Sequence, residues 1–205
     1  MQYGKFITIE GIEGVGKSTN MKHLTNILEE RGREVLTTRE PGGTPMAERI
    51  RELLIEHGDE PMPEIAELLL MFASRSLHVS NVIKPALAAG TWVVCDRFTD
   101  ASRAYQGGGR GIPLADINQL ARWVMGDLEP DLTILLDAPV DIGMSRAGQR
   151  GDPDRFEVER NEFFARVRDA YLQLAAAAPE RFVIVDASQD LESVQHDIAK
   201  IAAAL

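Results

Sequence analysis

A doubly wound α/β fold on a parallel sheet is what this sequence predicts, and two features carry the expectation. Three apolar runs, WVVCD (92–96), LTILLD (132–137) and FVIVD (182–186), are almost uninterrupted, as strands covered by helices on both faces must be. A fourth run, Phe6-Ile7-Thr8-Ile9, leads into GIEGVGKS, Gly11 to Ser18, and then into a helical pattern. Strand, glycine-rich turn and helix are the context that G-x-x-x-x-G-K-[ST] requires to bind phosphate, and a chance match in a surface loop would lack it.

In chain order, strands are expected at 5–10, 34–39, 91–96, 132–137 and 182–186, with helical patterns between them. In the first turn, Gly11, Ile12, Glu13, Gly14, Val15 and Gly16 form a cradle of backbone N–H groups at a helix N-terminus. Lys17 would reach the β- and γ-phosphates of a nucleotide, and the Ser18 hydroxyl would ligate magnesium. The helix that follows should close near Arg31, with Gly32 as its stop. TREPGGTP (38–45) reads as a strand-to-helix loop in which Thr44 caps the next helix, while Arg39 and Glu40 stand at the edge where open α/β sheets bind ligands. Residues 64–89 hold one or two helices, and IAELLLMFA is apolar nearly all round, which points to a buried helix or an oligomer interface. Phe72 and Arg75 lie on one face of it, at i and i+3.

After the third strand comes DRFTDASRAYQGGGRG (96–111). Asp96 and Arg97 at the strand end, with Tyr105 and Gln106 beyond, suggest a pocket for a planar ligand, whereas the glycines Gly107 to Gly109 read on their own as a flexible connector. Asp137 ends the fourth strand in the apolar-run-plus-acid form of a Walker B site; Asp96 and Asp137 both remain candidates for the acid that organises magnesium. In SRAGQRGDPDRFEVE (145–159), Arg146 and Arg150 share a helical face, while Gly148, Gly151 and Asp152-Pro153 interrupt the helix. That combination reads as a mobile, arginine-bearing lid at about 145–157. A long helix over 155–178 and a terminal one over 191–205 complete the chain.

Composition narrows the partners. The 205 residues are expected to form a single domain with a core large enough to need no disulfide. A net charge of −10 argues against a nucleic-acid polymer as ligand, since such polymers are bound through surplus lysine and arginine. No apolar run approaches the ~20 residues of a membrane span, and MQYGKF lacks the basic-then-apolar form of a leader, so a cytoplasmic protein without membrane attachment is expected. Cys95, inside an apolar run, is expected to be a buried hydrophobe. His23, His57, His78 and His196 lack metal-ligand spacing and read as structural or surface residues.

Taken together, GIEGVGKS, TREPGG, the triplet Asp96-Arg97-Phe98, AYQGGGRG and the arginine-bearing segment 146–155 resemble the bacterial thymidylate kinases, from the first strand to the C-terminus. The resemblance implies a P-loop nucleoside-monophosphate kinase fold with strand order 2-3-1-4-5, a homodimer, and transfer of the γ-phosphoryl of ATP, with Mg2+, to dTMP on the route to dTTP. It implies that Phe72 stacks on thymine, that Arg75 and Gln106 hydrogen-bond its edge, and that Arg39 and Ser102 belong to the dTMP site. Arg97 would bridge donor and acceptor phosphates, Glu13 would face the acceptor sugar and phosphate, and Tyr105 would crowd the 2′ position. Ser18 and Asp96 are the metal residues it points to, and Lys17, Arg97, Arg146 and Arg150 the catalytic cations. An acid in the loop and arginines in the lid match the bacterial pattern. A P-loop GTPase is disfavoured because neither N-K-x-D nor a D-x-x-G switch occurs; a kinase for another nucleoside monophosphate is the alternative.

Overall fold

The computed structural model describes residues 3–56, 60–148, 155–156 and 159–205. Its strands are β1 (Phe6–Glu10), β2 (Val35–Arg39), β3 (Trp92–Asp96), β4 (Leu132–Asp137) and β5 (Phe182–Asp186), each within one residue of its expected bounds. They form one parallel sheet in the order β2-β3-β1-β4-β5, the order the resemblance implied. β1 lies at the centre, buried throughout, with Ile9 in register with Asp96 on one side and with Ile134 on the other. The order reverses beside β1, so the phosphate loop that follows it opens at the topological switch point.

The two-residue period of the strands sorts their side chains into two cores. Ile7 and Ile9 of β1 pack with Trp92, Val94, Leu24 and Phe164 on one face, and Phe6 packs with Val93, Cys95, Leu68 and Phe72 on the other. Cys95 is fully buried, and burial pushes its thiol pKa well up. Near the sheet centre the hydroxyls of Thr8 and Thr133 lie 2.9 Å apart and satisfy each other.

Among the described residues the helices are α1 (Lys17–Glu30), α2 (Pro45–Ile55), α3 (Glu64–His78), α4 (Lys84–Ala89), α5 (Thr99–Ser102), α6 (Leu114–Met125), α7 (Val140–Ala147), α8 (Asn161–Ala177) and α9 (Leu191–Ala203). α1 ends as expected: Gly32 sits at φ 74° and donates to Glu29 O, and Arg33 donates to Leu28 O. Thr44 caps α2, its Oγ1 accepting from Ala47 N at 3.2 Å. α3 and α4 are joined by a π-helical turn, Val79–Ile83, making one continuous path over the sheet.

Two expectations need correction. The long helix does not begin at 155: α8 starts at Asn161, because Arg155 is tied to the end of α2, its N–H on Ile55 O and its Nε on Leu54 O at 2.8 Å. The glycines Gly107 to Gly109 are not a flexible connector either. They lie in a second π-helical segment, Arg103–Gly109, pressed on α8; a Cβ at Gly108 would sit 2.5 Å from the Ala170 Cβ, and one at Gly109 2.5 Å from the Phe163 ring. Their smallness permits close helix packing.

Candidate active site

The loop from β1 to α1 owes its shape to glycines. Gly11, Gly14 and Gly16 have φ of 138°, 73° and 89°, and a Cβ on Gly14 would lie 1.8 Å from the carbonyl oxygen of Gly143 in α7. Within this cradle Lys17 Nζ donates to Ile12 O at 2.8 Å and Gly11 O at 3.1 Å. Burial, helped by the nearby Arg97 charge, lowers its pKa to about 8, against the pull of Asp96, Glu13 and Glu10. The loop opens onto a cavity of about 540 Å3 lined by Lys17, Ser18, Asp96, Arg97, Tyr105 and Gln106, with Glu13, Glu40, Arg75, Ser102 and Arg146 also on its wall.

On one side a small network joins the loop to the end of β3. Arg97 Nη2 donates to Glu13 Oε1 at 2.8 Å, the Tyr105 hydroxyl lies 2.8 and 2.7 Å from the two Glu13 oxygens, and the Arg97 guanidinium sits 4.6 Å over the Tyr105 ring. Burial pushes the Tyr105 pKa well up, so its oxygen keeps its proton and donates. Arg97 has φ 67°, a left-handed conformation that costs a non-glycine residue of order 1 kcal/mol and places its side chain beside the loop. Beneath it, buried Glu10 accepts from Phe98 N and the Tyr171 hydroxyl, both at 2.7 Å. Burial, then the Asp100 charge, raises its pKa to about 7, against those hydrogen bonds.

On the other side a buried arginine organises the wall. Arg75 donates Nε to Glu40 at 2.6 Å, Nη1 to Ser102 Oγ at 3.0 Å and Nη2 to Phe98 O at 2.9 Å. His78, fully buried, bridges Glu40 and the Thr38 hydroxyl at 3.0 and 2.7 Å, and Ser74 accepts from Gly42 N, so α3 holds the TREPGG turn from beneath. Arg39 and Glu40 are equal candidates at this edge from their positions in TREPGG. Glu40 lines the cavity, while Arg39 lies half exposed against Glu48 and is not among the lining residues. Phe72 likewise belongs to the core, with the Arg75 guanidinium 4.7 Å over its ring; its neighbours Met71 and Arg75 are the α3 residues that reach the cavity.

The two acids left open differ in their surroundings. Asp137 is held by Arg168 through two bonds of 2.7 and 2.8 Å. Asp96 lines the same cavity as Ser18, and its Oδ1 is buried with no partner among the described residues. An unpaired buried carboxylate oxygen is costly and suits a residue that meets a cation. No cluster of three or more metal-binding side chains occurs among the described residues.

Arg146, in the last turn of α7, lines the cavity and donates to Ala187 O at 2.7 Å and Ser188 O at 3.4 Å. Arg150 and His57 lie outside the described residues, as does most of the segment expected to form a lid. Sequence reasoning missed Glu67, in the first turn of α3. It is 1% exposed and accepts from Gln106 Nε2 at 2.8 Å, Arg155 Nη2 at 2.6 Å and Arg110 Nη2 at 3.3 Å. Its signal was present: a single acid inside IAELLLMFA must find partners if that helix is buried.

The model of a family described as thymidylate kinase matches residues 9–198. A thymidylate kinase of Ectopseudomonas mendocina is 57% identical over 195 residues, 95% of this chain and 93% of the relative. One from Pseudomonas savastanoi pv. phaseolicola is 58% identical over 192 residues, 94% of this chain and 91% of the relative. The crystal structure of thymidylate kinase from Ehrlichia chaffeensis superposes with a TM-score of 0.77 at 34% identity, covering 97% of this chain and 98% of that one.

Proposed function

The chain belongs to the thymidylate kinase family and phosphorylates dTMP, and we propose that it does so with Mg-ATP, at the cavity between the phosphate loop and α3. The observation that carries this reading is the sharing of one cavity: Lys17 and Ser18 stand on the same wall system as Arg75, Ser102, Tyr105 and Gln106, so a phosphate donor and a nucleotide acceptor can meet. Phosphoryl transfer asks for positioning and charge neutralisation, and the acceptor phosphate is already an anion that needs no base.

In this reading the N–H groups of residues 11–18 and the Lys17 ammonium hold the ATP phosphates. Arg97, fixed by Glu13 and stacked on Tyr105, bridges donor and acceptor. Arg75 and Gln106 take the pyrimidine edge, and the Tyr105 ring stands beside the sugar. Ser18 and Asp96 would hold Mg2+, which supplies charge neutralisation on the phosphates when bound; the unpartnered Asp96 oxygen favours it over Asp137. Arg146 and Arg150 complete the cation set around the transferred group.

We further propose a homodimer formed through α3, where Ile65 and Leu69 are 56% and 52% exposed; Leu53, on the adjoining α2, is exposed as well. Exposed apolar side chains concentrated on adjoining helices are what an interface would cover. No helix among the described residues is long and apolar enough to cross a membrane, and a cytoplasmic location is proposed. Coupled ADP release measured across dTMP, dUMP, dCMP, dGMP and AMP tests the substrate: dTMP should give by far the highest kcat/KM, and a preference for another monophosphate would replace this reading with the alternative kinase.

A further inference from the structure

We propose that Glu67, which does not line the cavity, sets the base specificity of the site by fixing which end of the Gln106 side-chain amide faces the nucleotide. This rests on the reading of the cavity as a dTMP site. A glutamine amide can present either a carbonyl oxygen or an NH2 group, and the two accept opposite partners. A carboxylate only accepts. With Gln106 Nε2 bonded to Glu67 at 2.8 Å, the planar amide turns Oε1 to its opposite side, toward the cavity that Gln106 lines. Among the described residues no hydrogen bond reaches Gln106 Oε1, while Nε2 is taken by Glu67.

The wall therefore offers a donor and an acceptor in a fixed pattern. Arg75 is donor-only, and Gln106 is locked as an acceptor. A pyrimidine with a C4 carbonyl beside an N3–H matches both. Cytosine, with an amino group at C4 and a bare N3, mismatches both, and each buried mismatch leaves a polar group unpaired. Glu67 is itself kept in place by Arg155, by Arg110, which also pairs with Glu159, and by its position in α3. The acid buried in an apolar helix thus acts as a positioning residue for the acceptor base, through Gln106.

The test compares kcat/KM for dTMP and dCMP in the whole enzyme, its Glu67→Gln and Gln106→Leu variants and the double variant. Glu67→Gln frees the amide to rotate, so the dTMP/dCMP ratio should fall by about tenfold or more, through KM for the nucleotide and not KM for ATP. In the Gln106→Leu background the same change should leave the ratio unaltered, a coupling that general loss of packing would not produce. A full ratio in folded Glu67→Gln, or equal losses in both backgrounds, would overturn the proposal. A native enzyme that does not phosphorylate dTMP would instead overturn the substrate reading, and the two failures are distinguishable. If Glu67→Gln does not fold, side-chain amide NMR of Gln106 in the native enzyme decides. Its NH2 protons should keep their bond to Glu67 when dTMP binds, and a contact between those protons and the pyrimidine would contradict the assignment.

Discussion

The Tyr105 hydroxyl lies within 2.8 Å of both Glu13 carboxylate oxygens, so one side chain both lines the cavity and anchors the loop acid that holds Arg97. Those two roles separate by substitution. Tyr105→Phe keeps the ring under Arg97 and removes a hydrogen bond to a charged group, of order 1.5–3 kcal/mol, so kcat/KM for dTMP should drop by about tenfold or more with little change in sugar preference. Tyr105→Ala removes the wall as well and should narrow the gap between dTMP and its ribonucleotide counterpart. An unchanged ratio in Tyr105→Ala would place sugar discrimination elsewhere.

Buried Glu10 gives the fold a pH dependence of defined sign. Its pKa is raised from the ordinary 4.5 to about 7, so between those pH values the folded chain holds a proton that the unfolded chain has released. Stability from this group is therefore present below about 4.5 and lost as pH rises toward 7, where the buried carboxylate must ionise. Glu10→Gln should raise the melting temperature at pH 8 and flatten its fall between pH 5 and 7. Thermal unfolding curves that superpose in pH dependence would contradict this.

Asp96 and Asp137 should part company in their metal response. Asp96→Asn should raise the Mg2+ concentration for half-maximal activity several-fold and leave unfolding nearly unchanged, since its Oδ1 has no protein partner among the described residues. Asp137→Asn should lose about 1 kcal/mol of stability with the Arg168 pair and keep the native Mg2+ dependence. Activity titrated with Mg2+ after chelation distinguishes them, and the reverse pattern would move the metal to β4.

The apolar face of α3 gives a simple test of assembly. Leu69→Glu puts a charge on a half-exposed position, so it should leave the fold intact and convert a dimer to a monomer in light scattering. A native chain already monomeric at micromolar concentration would remove the proposed interface.

Strands, their order of hydrophobic burial and the phosphate loop were legible because each is a local pattern: apolar runs for doubly covered strands, and glycine spacing that only one turn fits. What stayed hidden was non-local. That Gly108 meets Ala170, or that Arg155 is held by Leu54 O, depends on helices distant in sequence coming together. Glu40 and Arg39 look alike in TREPGG, and only the approach of Arg75 and His78 draws one inward while Glu48 takes the other. Asp96 and Asp137 likewise end similar strands, and only the folded surroundings distinguish them: Arg168 pairs with Asp137, while Asp96 lines the cavity.

The most direct test of the account is the fate of the γ-phosphoryl group. With γ-labelled ATP, Mg2+ and dTMP, the native enzyme should place the label in dTDP, and Lys17→Ala should slow this on the order of a hundredfold or more while remaining folded, because its ammonium neutralises charge in the loop. Label released only as inorganic phosphate, or transferred at a native rate by Lys17→Ala, would contradict it.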